Sequence, residues 1–194
     1  MSNAIEKNLN DNGVLKLSLN RPDVLNAMNA DLIIGLLDGF NEAKADKKVR
    51  SIIITGNGRG FCSGADLVDG GWPKTRGLTG GEAGAITMEN AFNPLVKAIT
   101  QSTKPVVNAI NGMAAGGGVG LALTGDIVVA AESAKFKLVF GPNLGIISDV
   151  GASWFVPNLI GRARANGMGL LGEDISAQQA KDWGLIWDCV PDNE

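Results

Sequence analysis

Histidine and tyrosine are both absent from this sequence of 194 residues. The commonest general base and the phenolic acid are therefore missing from its chemistry. Any proton transfer must depend on carboxylates, lysines, cysteines or water. The acidic residues are accordingly the first place to look for a catalytic group.

Cysteine is scarce as well. Cys62 and Cys189 are the only two, and they lie too far apart in the chain to form a C-x-x-C pair. The first 13 residues are polar and contain no apolar signal core. We therefore expect a reduced, cytoplasmic protein.

The sequence also lacks long apolar runs and blocks of like charge. Its most apolar stretch, residues 119–131, is interrupted by Asp126 and is shorter than the about 20 apolar residues that cross a bilayer. The 17 basic and 20 acidic residues give a formal net charge of −3. We expect neither a membrane nor a nucleic acid as a partner.

What is present is a regular alternation of strand and helix patterns. The length favours one domain over residues 1–194. Strand patterns occur at residues 14–19, 51–55, 105–110, 126–131 and 185–190. Helix patterns occur after an N-cap at Asn29, over residues 86–101, within residues 116–124, and after an N-cap at Ser176. This order is typical of an α/β fold.

Residues 72–84 interrupt this alternation. They combine Trp72, a proline and several glycines without a helical or strand period. We interpret them as a mobile loop that could lie over a ligand.

Two segments repeat the order of buried strand, glycine-rich turn and helix start. The turns cover residues 58–67 and 111–120. Backbone N–H groups at such turns have no helical partner, so two of them can converge on developing negative charge. Tight structural turns and a phosphate site are the alternatives. Neither turn contains G-x-G-x-x-G, and the chain has no Gly-Lys pair for a phosphate-binding loop.

These motifs resemble the crotonase, or enoyl-CoA hydratase/isomerase, superfamily. The resemblance rests on two long motifs, G-R-G-F-C-S-G-A-D-L at residues 58–67 and K-P-V-V-N-A-I-N-G at residues 104–112. It is supported by N-R-P at residues 20–22, L-N-A-M at residues 25–28, and residues 176–185. It implies a spiral of β-β-α units and an acyl-CoA substrate. It also implies an oxyanion hole formed by the backbone N–H groups of Ala65 and Gly117. Coenzyme A would enter as part of the substrate, with no prosthetic group and no metal.

The resemblance further implies a set of residues around the bound substrate. They are Val24, Leu25, Ala27, Ser63, Ala65, Asp66, Leu67, Val68, Gly117 and Phe140. Met88, Phe92 and Trp154 are additional candidates for an acyl or aryl pocket, although apolar residues at such spacing are more commonly core.

The acidic positions indicate which reaction to expect. Hydratases of this family use two glutamates, and the matching positions here are Gly120 and Gly141. The single acid of the isomerases matches Asp149. One carboxylate suffices for a 1,3-proton shift, because the same group removes and returns the proton. The alternative is that Asp149 is a first-turn helix acid with Ser148 as N-cap.

Within the superfamily, residues 93–96, 161–165 and 183–187 are most similar to 1,2-epoxyphenylacetyl-CoA isomerases of phenylacetate breakdown. A hydratase remains an alternative if an acid such as Glu82 substitutes. A dehalogenase of this superfamily would need a histidine, and the acidic balance disfavours an RNA-binding relative.

Superfamily members usually continue past the point that matches Glu194. Their additional helices cover the acyl site and join subunits into trimers or dimers of trimers. We expect these C-terminal covering helices to be missing from this chain, which would otherwise form a homo-oligomer. Apolar surface near residues 168–171 should then be exposed.

Overall fold

Two sheets and the helices between them make up the structure, a computed structural model that describes residues 4–68 and 77–193. The strands are β1 (Ile5–Leu9), β2 (Val14–Leu19), β3 (Ser51–Gly56), β4 (Gly60–Cys62), β5 (Val106–Ile110), β6 (Met113–Ala115), β7 (Ile127–Ala131), β8 (Lys135–Lys137), β9 (Ile175–Ser176) and β10 (Asp188–Val190). The α-helices are α1 (Ala30–Ala45), α2 (Gly80–Thr87), α3 (Asn93–Thr100), α4 (Gly117–Ala122), α5 (Ala152–Leu171) and α6 (Ala177–Trp183).

The larger sheet has the order β1-β2-β3-β5-β7-β10, and the smaller sheet has the order β4-β6-β8-β9. The strands β3, β5 and β7 each pass directly into the neighbouring strands β4, β6 and β8 of the smaller sheet. The pairs β3·β5, β5·β7, β4·β6 and β6·β8 are parallel. A helix follows each pair of strands, so the predicted α/β spiral of β-β-α units is confirmed.

Local sequence signals fixed several element boundaries. The alternating pattern at residues 14–19 forms β2 with the predicted bounds. Asn29 caps α1, and its side chain accepts a hydrogen bond from the backbone N–H of Leu32 at 3.0 Å. Ser176 caps α6 by accepting from the backbone N–H of Gln179 at 3.1 Å. These boundaries depend on neighbouring residues alone, which is why the sequence predicts them.

The interpretation of residues 72–84 as a mobile loop was wrong at its end. Helix α2 begins there, with Thr79 as N-cap. The Thr79 hydroxyl accepts a hydrogen bond from the backbone N–H of Glu82, and the Glu82 carboxylate accepts one from the backbone N–H of Thr79 at 2.8 Å. This capping box satisfies N–H groups that the glycines leave exposed, so the segment folds as a helix despite its composition. The part of the predicted loop at residues 72–76, including Trp72, lies outside the described residues.

The helix predicted over residues 86–101 is not one regular α-helix. A π-helical turn at Met88–Phe92 joins α2 to α3. The predicted final strand at 185–190 is also shorter than expected, because Leu185 and Ile186 turn into the core before β10 begins. The predicted exposure near residues 168–171 holds for Leu170 and Leu171, which are 72% and 67% exposed, whereas Met168 is buried.

Helix α4 is held by contacts between backbones. All six of its residues, G-G-V-G-L-A, are buried. A Cβ added at Gly118 would lie 2.1 Å from the carbonyl oxygen of Cys62, and one added at Gly120 would lie 2.2 Å from the carbonyl oxygen of Val150. Glycine is a poor helix former, costing about 1 kcal/mol relative to alanine, so tertiary packing must maintain this helix.

No helix within residues 4–68 or 77–193 is long and apolar enough to span a membrane.

The packing of α4 gives a prediction for stability. Gly118→Ala should lower the free energy of unfolding by about 3 kcal/mol, because the new methyl group meets a strand carbonyl that cannot move independently. Gly81→Ala in α2 is the matched control, since nothing lies within 4 Å of the added Cβ. It should be neutral or stabilising by up to about 1 kcal/mol. Urea denaturation measures both, and equal effects of the two substitutions would contradict the packing argument.

Candidate active site

Asp149 lies in the segment that connects the smaller sheet to α5. Its side chain is half-buried, and its Oδ1 atom is buried without a hydrogen-bond partner among the described residues. Burial raises the pKa of this carboxyl from 3.8 to about 6, and a hydrogen bond from its own backbone N–H opposes that increase. An ionised oxygen without a partner is costly in a protein interior, so this atom is available to a ligand rather than to the fold.

The backbone beside Asp149 is strained. Val150 has a φ of 48° and Gly151 has a φ of 79°. Left-handed geometry is unfavourable for a β-branched residue, and such residues cluster at functional sites.

The helix-capping interpretation of Asp149 was wrong. Helix α5 begins at Ala152 with Gly151 as N-cap, and no side chain caps it. The backbone carbonyl of Asp149, not its carboxylate, accepts from the N–H of Ala152 at 2.8 Å. Ser148 therefore lies before the helix and caps nothing in the predicted manner.

Gly117 faces this carboxylate. A Cβ built on Gly117 would lie 3.3 Å from Oδ1 of Asp149, 2.9 Å from Cγ2 of Val150 and 3.1 Å from the terminal methyl of Met28. Gly117 is also the first residue of α4, where the backbone N–H has no preceding helical carbonyl to bind. The first residue of α4 and an unpartnered carboxylate oxygen thus lie close together.

The segment that contains Ala65 lies next to Gly117. The N–H of Met28 donates to the carbonyl of Gly64 at 2.7 Å, and the N–H of Asp66 donates to the carbonyl of Met28 at 2.9 Å. Because alternate backbone groups in an extended chain point to opposite sides, the N–H of Ala65 points away from Met28. A Cβ on Gly64 would lie 3.2 Å from the backbone nitrogen of Gly117, so the two predicted donors belong to adjacent segments.

An ion pair that the sequence did not suggest supports the Ala65 segment. Arg21 and Asp66 lie 2.9 Å apart, with side chains 17% and 9% exposed. Arg21 also donates to the carbonyl of Ala27, and Asp66 accepts from the N–H of Val68 at 3.0 Å. The sequence indicated residues 20–28 only as a segment of the family resemblance, because a contact between residues 45 positions apart leaves no local pattern. Asp66 therefore holds the wall of the site together in addition to any contact with substrate.

The other predicted substrate residues are distributed along the same wall. Val24, Leu67 and Val68 are exposed, by 45%, 79% and 98%. The Ser63 hydroxyl donates to the carbonyl of Val24 at 3.3 Å, and the Ser63 N–H donates to the carbonyl of Leu25 at 3.0 Å. The segments around residues 24–27 and 63–68 thus form one continuous surface.

The aromatic and apolar candidates divide between the site and the core. Phe140 is buried, and its ring lies 3.9 Å from a Cβ built on Gly116, directly before α4. Phe92 is buried in the core, and Met88 packs against it. Trp154 is 69% exposed. Phe140 therefore lies close to the glycines at the start of α4.

The two positions that match the hydratase glutamates have no room for a side chain. A Cβ on Gly120 would meet the carbonyl of Val150 at 2.2 Å, and one on Gly141 would meet the carbonyl of Gly169 at 2.6 Å. Glu82, the suggested substitute, accepts two hydrogen bonds from Thr79, and these lower its pKa. Of the acids suggested by the sequence, Asp149 has a buried carboxylate oxygen without a partner among the described residues.

One cavity adjoins this region, and a larger one does not. A cavity of about 190 Å³ adjoins Ser148 and is lined mainly by apolar or small residues, including Ile146, Ile147 and Leu170. A larger one of about 610 Å³ lies elsewhere, beside Ile127 and Trp187, and its lining does not include Asp149 or Gly117. Within the described ranges, no group of histidine, cysteine, aspartate or glutamate could hold a metal ion.

Comparison with known proteins identifies the class. The chain matches the model of the family described as Enoyl-CoA hydratase/isomerase over residues 10–194. The chain superposes on an enoyl-CoA hydratase from Bacillus anthracis with a TM-score of 0.86 at 33% identity, over 98% of this chain and 71% of the other. It superposes on a monofunctional enoyl-CoA isomerase from M. smegmatis with a TM-score of 0.80 at 31% identity, over 99% of this chain and 79% of the other.

Curated relatives agree. The chain is 45% identical to the 1,2-epoxyphenylacetyl-CoA isomerase of Escherichia coli (strain K12), over 94% of this chain and 68% of the relative. It is 41% identical to a probable enoyl-CoA hydratase of Rhodobacter capsulatus, over 93% and 66%. The chain thus spans about two thirds of the length of these relatives. It belongs to the enoyl-CoA hydratase/isomerase family of enzymes.

The raised pKa of Asp149 predicts how stability depends on pH. Between about pH 4 and pH 6 the folded protein binds more protons at this site than the unfolded chain does, so its stability falls as pH rises. Asp149→Asn cannot ionise at this position, so its stability does not fall for this reason. The variant should match wild type near pH 4 and exceed its unfolding free energy by about 1–2 kcal/mol above pH 6.5.

Urea denaturation of both proteins across this range measures the difference. Asp174→Asn is the control, because a hydrogen bond from Lys137 lowers the pKa of Asp174. Its difference from wild type should have the opposite sign, with the variant losing relative stability as pH rises. A flat difference for Asp149→Asn would show that this carboxylate is not desolvated.

Proposed function

We propose that this chain forms the core of an acyl-CoA isomerase in which Asp149 is the single acid/base. The observation that carries the proposal is the buried, unpartnered oxygen of Asp149 opposite Gly117. The substrate is an enoyl- or aryl-acyl-CoA thioester, and coenzyme A is part of that substrate. No prosthetic group takes part in the proposed chemistry.

The proposed reaction is a proton shift through an enolate. Ionised Asp149 removes a proton from the carbon next to the thioester carbonyl, and the electron pair moves onto the carbonyl oxygen. The N–H groups of Ala65 and Gly117 bind that oxygen as it becomes negative. Protonated Asp149 then returns the proton to a second carbon, and the double bond moves. A pKa of about 6 suits this role, because the group is ionised at neutral pH yet remains a useful acid.

The acyl group has two candidates. A double-bond shift in an enoyl-CoA needs no more than the groups described above. Ring opening of an aryl epoxide is the second candidate, because the Escherichia coli relative is a 1,2-epoxyphenylacetyl-CoA isomerase at 45% identity. The apolar cavity beside Ser148 supports an apolar acyl group in either case.

Hydration is the competing activity. The name of the Rhodobacter capsulatus relative favours it. The backbone contacts at Gly120 and Gly141 disfavour it, because neither position can project a carboxylate to hold the attacking water. A crotonyl-CoA hydration assay separates the two activities.

A non-catalytic binding role would leave CoA-ester binding intact with no turnover in either assay. Phenylacetate catabolism, a cytoplasmic location and assembly into a homo-oligomer stay predictions.

Asp149→Asn should lower isomerase turnover by a factor on the order of 10² to 10⁴, because it keeps the shape of the side chain but removes the base. Binding of the CoA ester, measured by calorimetry, should change little. Asp174→Asn, which removes a surface carboxylate paired with Lys137 at 2.9 Å, is the control and should retain wild-type turnover. Near-normal activity of Asp149→Asn would rule out its role as the base.

Gly117 allows a sharper test of the oxyanion donor. Gly117→Pro removes the N–H but also adds a Cβ that would lie 2.9 Å from Cγ2 of Val150. Gly117→Ala adds the same Cβ and keeps the N–H. If the N–H binds the thioester oxygen, the proline variant should turn over about 100-fold more slowly than the alanine variant, since loss of one donor costs about 3 kcal/mol. Equal activities would assign the damage to the added carbon alone.

A further inference from the structure

Asn108 is a completely buried asparagine in β5, between the buried residues Val106 and Ile110. Its side-chain nitrogen lies 2.9 Å from the carbonyl oxygens of both Leu121 and Ala122. Its Oδ1 atom is buried and has no hydrogen-bond partner in the described parts of the chain. An unsatisfied amide oxygen is unfavourable in a core, so the contribution of this side chain lies in the bonds made by its nitrogen.

Those bonds hold the carboxyl end of α4. Leu121 and Ala122 are its last two residues. The Thr124 hydroxyl strengthens the same end by donating to the carbonyl of Leu121 at 2.7 Å, and it lies 3.2 Å from the nitrogen of Asn108. A Cβ on Gly125 would lie 2.9 Å from Cγ of Asn108, so the turn that leaves the helix packs directly on this amide.

The other end of the same helix carries Gly117. Helix α4 has six residues, and about 1.5 Å of rise per residue separates Gly117 from Leu121 by only about 6 Å. The backbone contacts of Gly118 and Gly120 limit sideways movement of the helix. Bonds to its final carbonyls restrict the remaining freedom, which is movement along the helix axis.

We propose that Asn108 is a positioning residue that fixes α4 along its axis and thereby sets where the N–H of Gly117 points. This inference rests on the proposed role of Gly117 as a donor to the thioester oxygen. Asn108 does not itself touch the substrate in this proposal. Its loss should therefore weaken stabilisation of the enolate more than it weakens binding of the CoA ester.

The test compares Asn108→Ala and Thr124→Val with the control Val106→Ala. Val106 is buried on the same strand and the same face as Asn108, so its truncation also destabilises the core. Thr124→Val keeps the side-chain shape and removes only the hydroxyl, which provides a folded variant if Asn108→Ala unfolds. The first readout is the ¹H–¹⁵N resonance of Gly117 in the ligand-free protein. The second is the absorbance of a bound cinnamoyl-CoA with an electron-donating ring substituent, which shifts to longer wavelength when its carbonyl is polarised.

Asn108→Ala should move the Gly117 resonance, reduce the absorbance shift of the probe and lower kcat roughly 10- to 100-fold. Its KM should stay within about threefold of wild type. Thr124→Val should move all three readouts in the same direction but less. Val106→Ala should lower thermal stability and leave the resonance, the absorbance shift and kcat near their wild-type values.

A Gly117 resonance, absorbance shift and kcat that respond equally in Asn108→Ala and Val106→Ala would overturn the positioning role, as would no response in Thr124→Val. If the wild-type protein binds the probe without any absorbance shift, the proposed oxyanion hole is wrong. The catalytic part of the positioning role then fails as well, because it depends on that oxyanion hole. The Gly117 resonance separates these cases, because it reports the helix without substrate.

Discussion

The close approach of α4 to two other stretches of backbone is the constraint on which the site depends. Gly118 packs on the carbonyl of Cys62, and Gly120 packs on the carbonyl of Val150. These contacts place the start of the helix beside Asp149. They also require glycine at the position where a hydratase would have its glutamate. The same packing is therefore consistent with the proposed oxyanion donor at Gly117 and leaves no room for an acidic side chain at residue 120.

The surroundings of Asp149 contain two features that do not favour stability. The adjoining Val150 adopts a left-handed conformation, and the carboxylate has one oxygen with no partner among the described residues. Both features are unfavourable in a resting fold. The proposed function accounts for both, because a substrate that binds beside Asp149 and Gly117 would meet a desolvated carboxylate, which is a stronger base than one in water.

Sequence patterns predicted the features that depend on near neighbours and on motifs. The alternation in β2 and the cap at Asn29 are local, and Asp149 emerged from a family resemblance. The short strands β4, β6 and β8 have three residues each, too few to show a period. The Arg21–Asp66 pair joins residues 45 positions apart, and the bonds of Asn108 likewise depend on the folded chain. No single-sequence pattern indicates such contacts.

The central claim is that one carboxylate moves a proton without adding water. Incubating the wild-type protein with a 3-enoyl-CoA in D₂O and following the product by proton NMR tests this most directly. The account predicts a 2-enoyl-CoA carrying deuterium at the γ-carbon wherever the proton on Asp149 exchanges with solvent, and no 3-hydroxyacyl-CoA forming at a comparable rate. Recovery of unchanged 3-enoyl-CoA without deuterium, from a protein that rapidly hydrates crotonyl-CoA to 3-hydroxybutyryl-CoA, would contradict it.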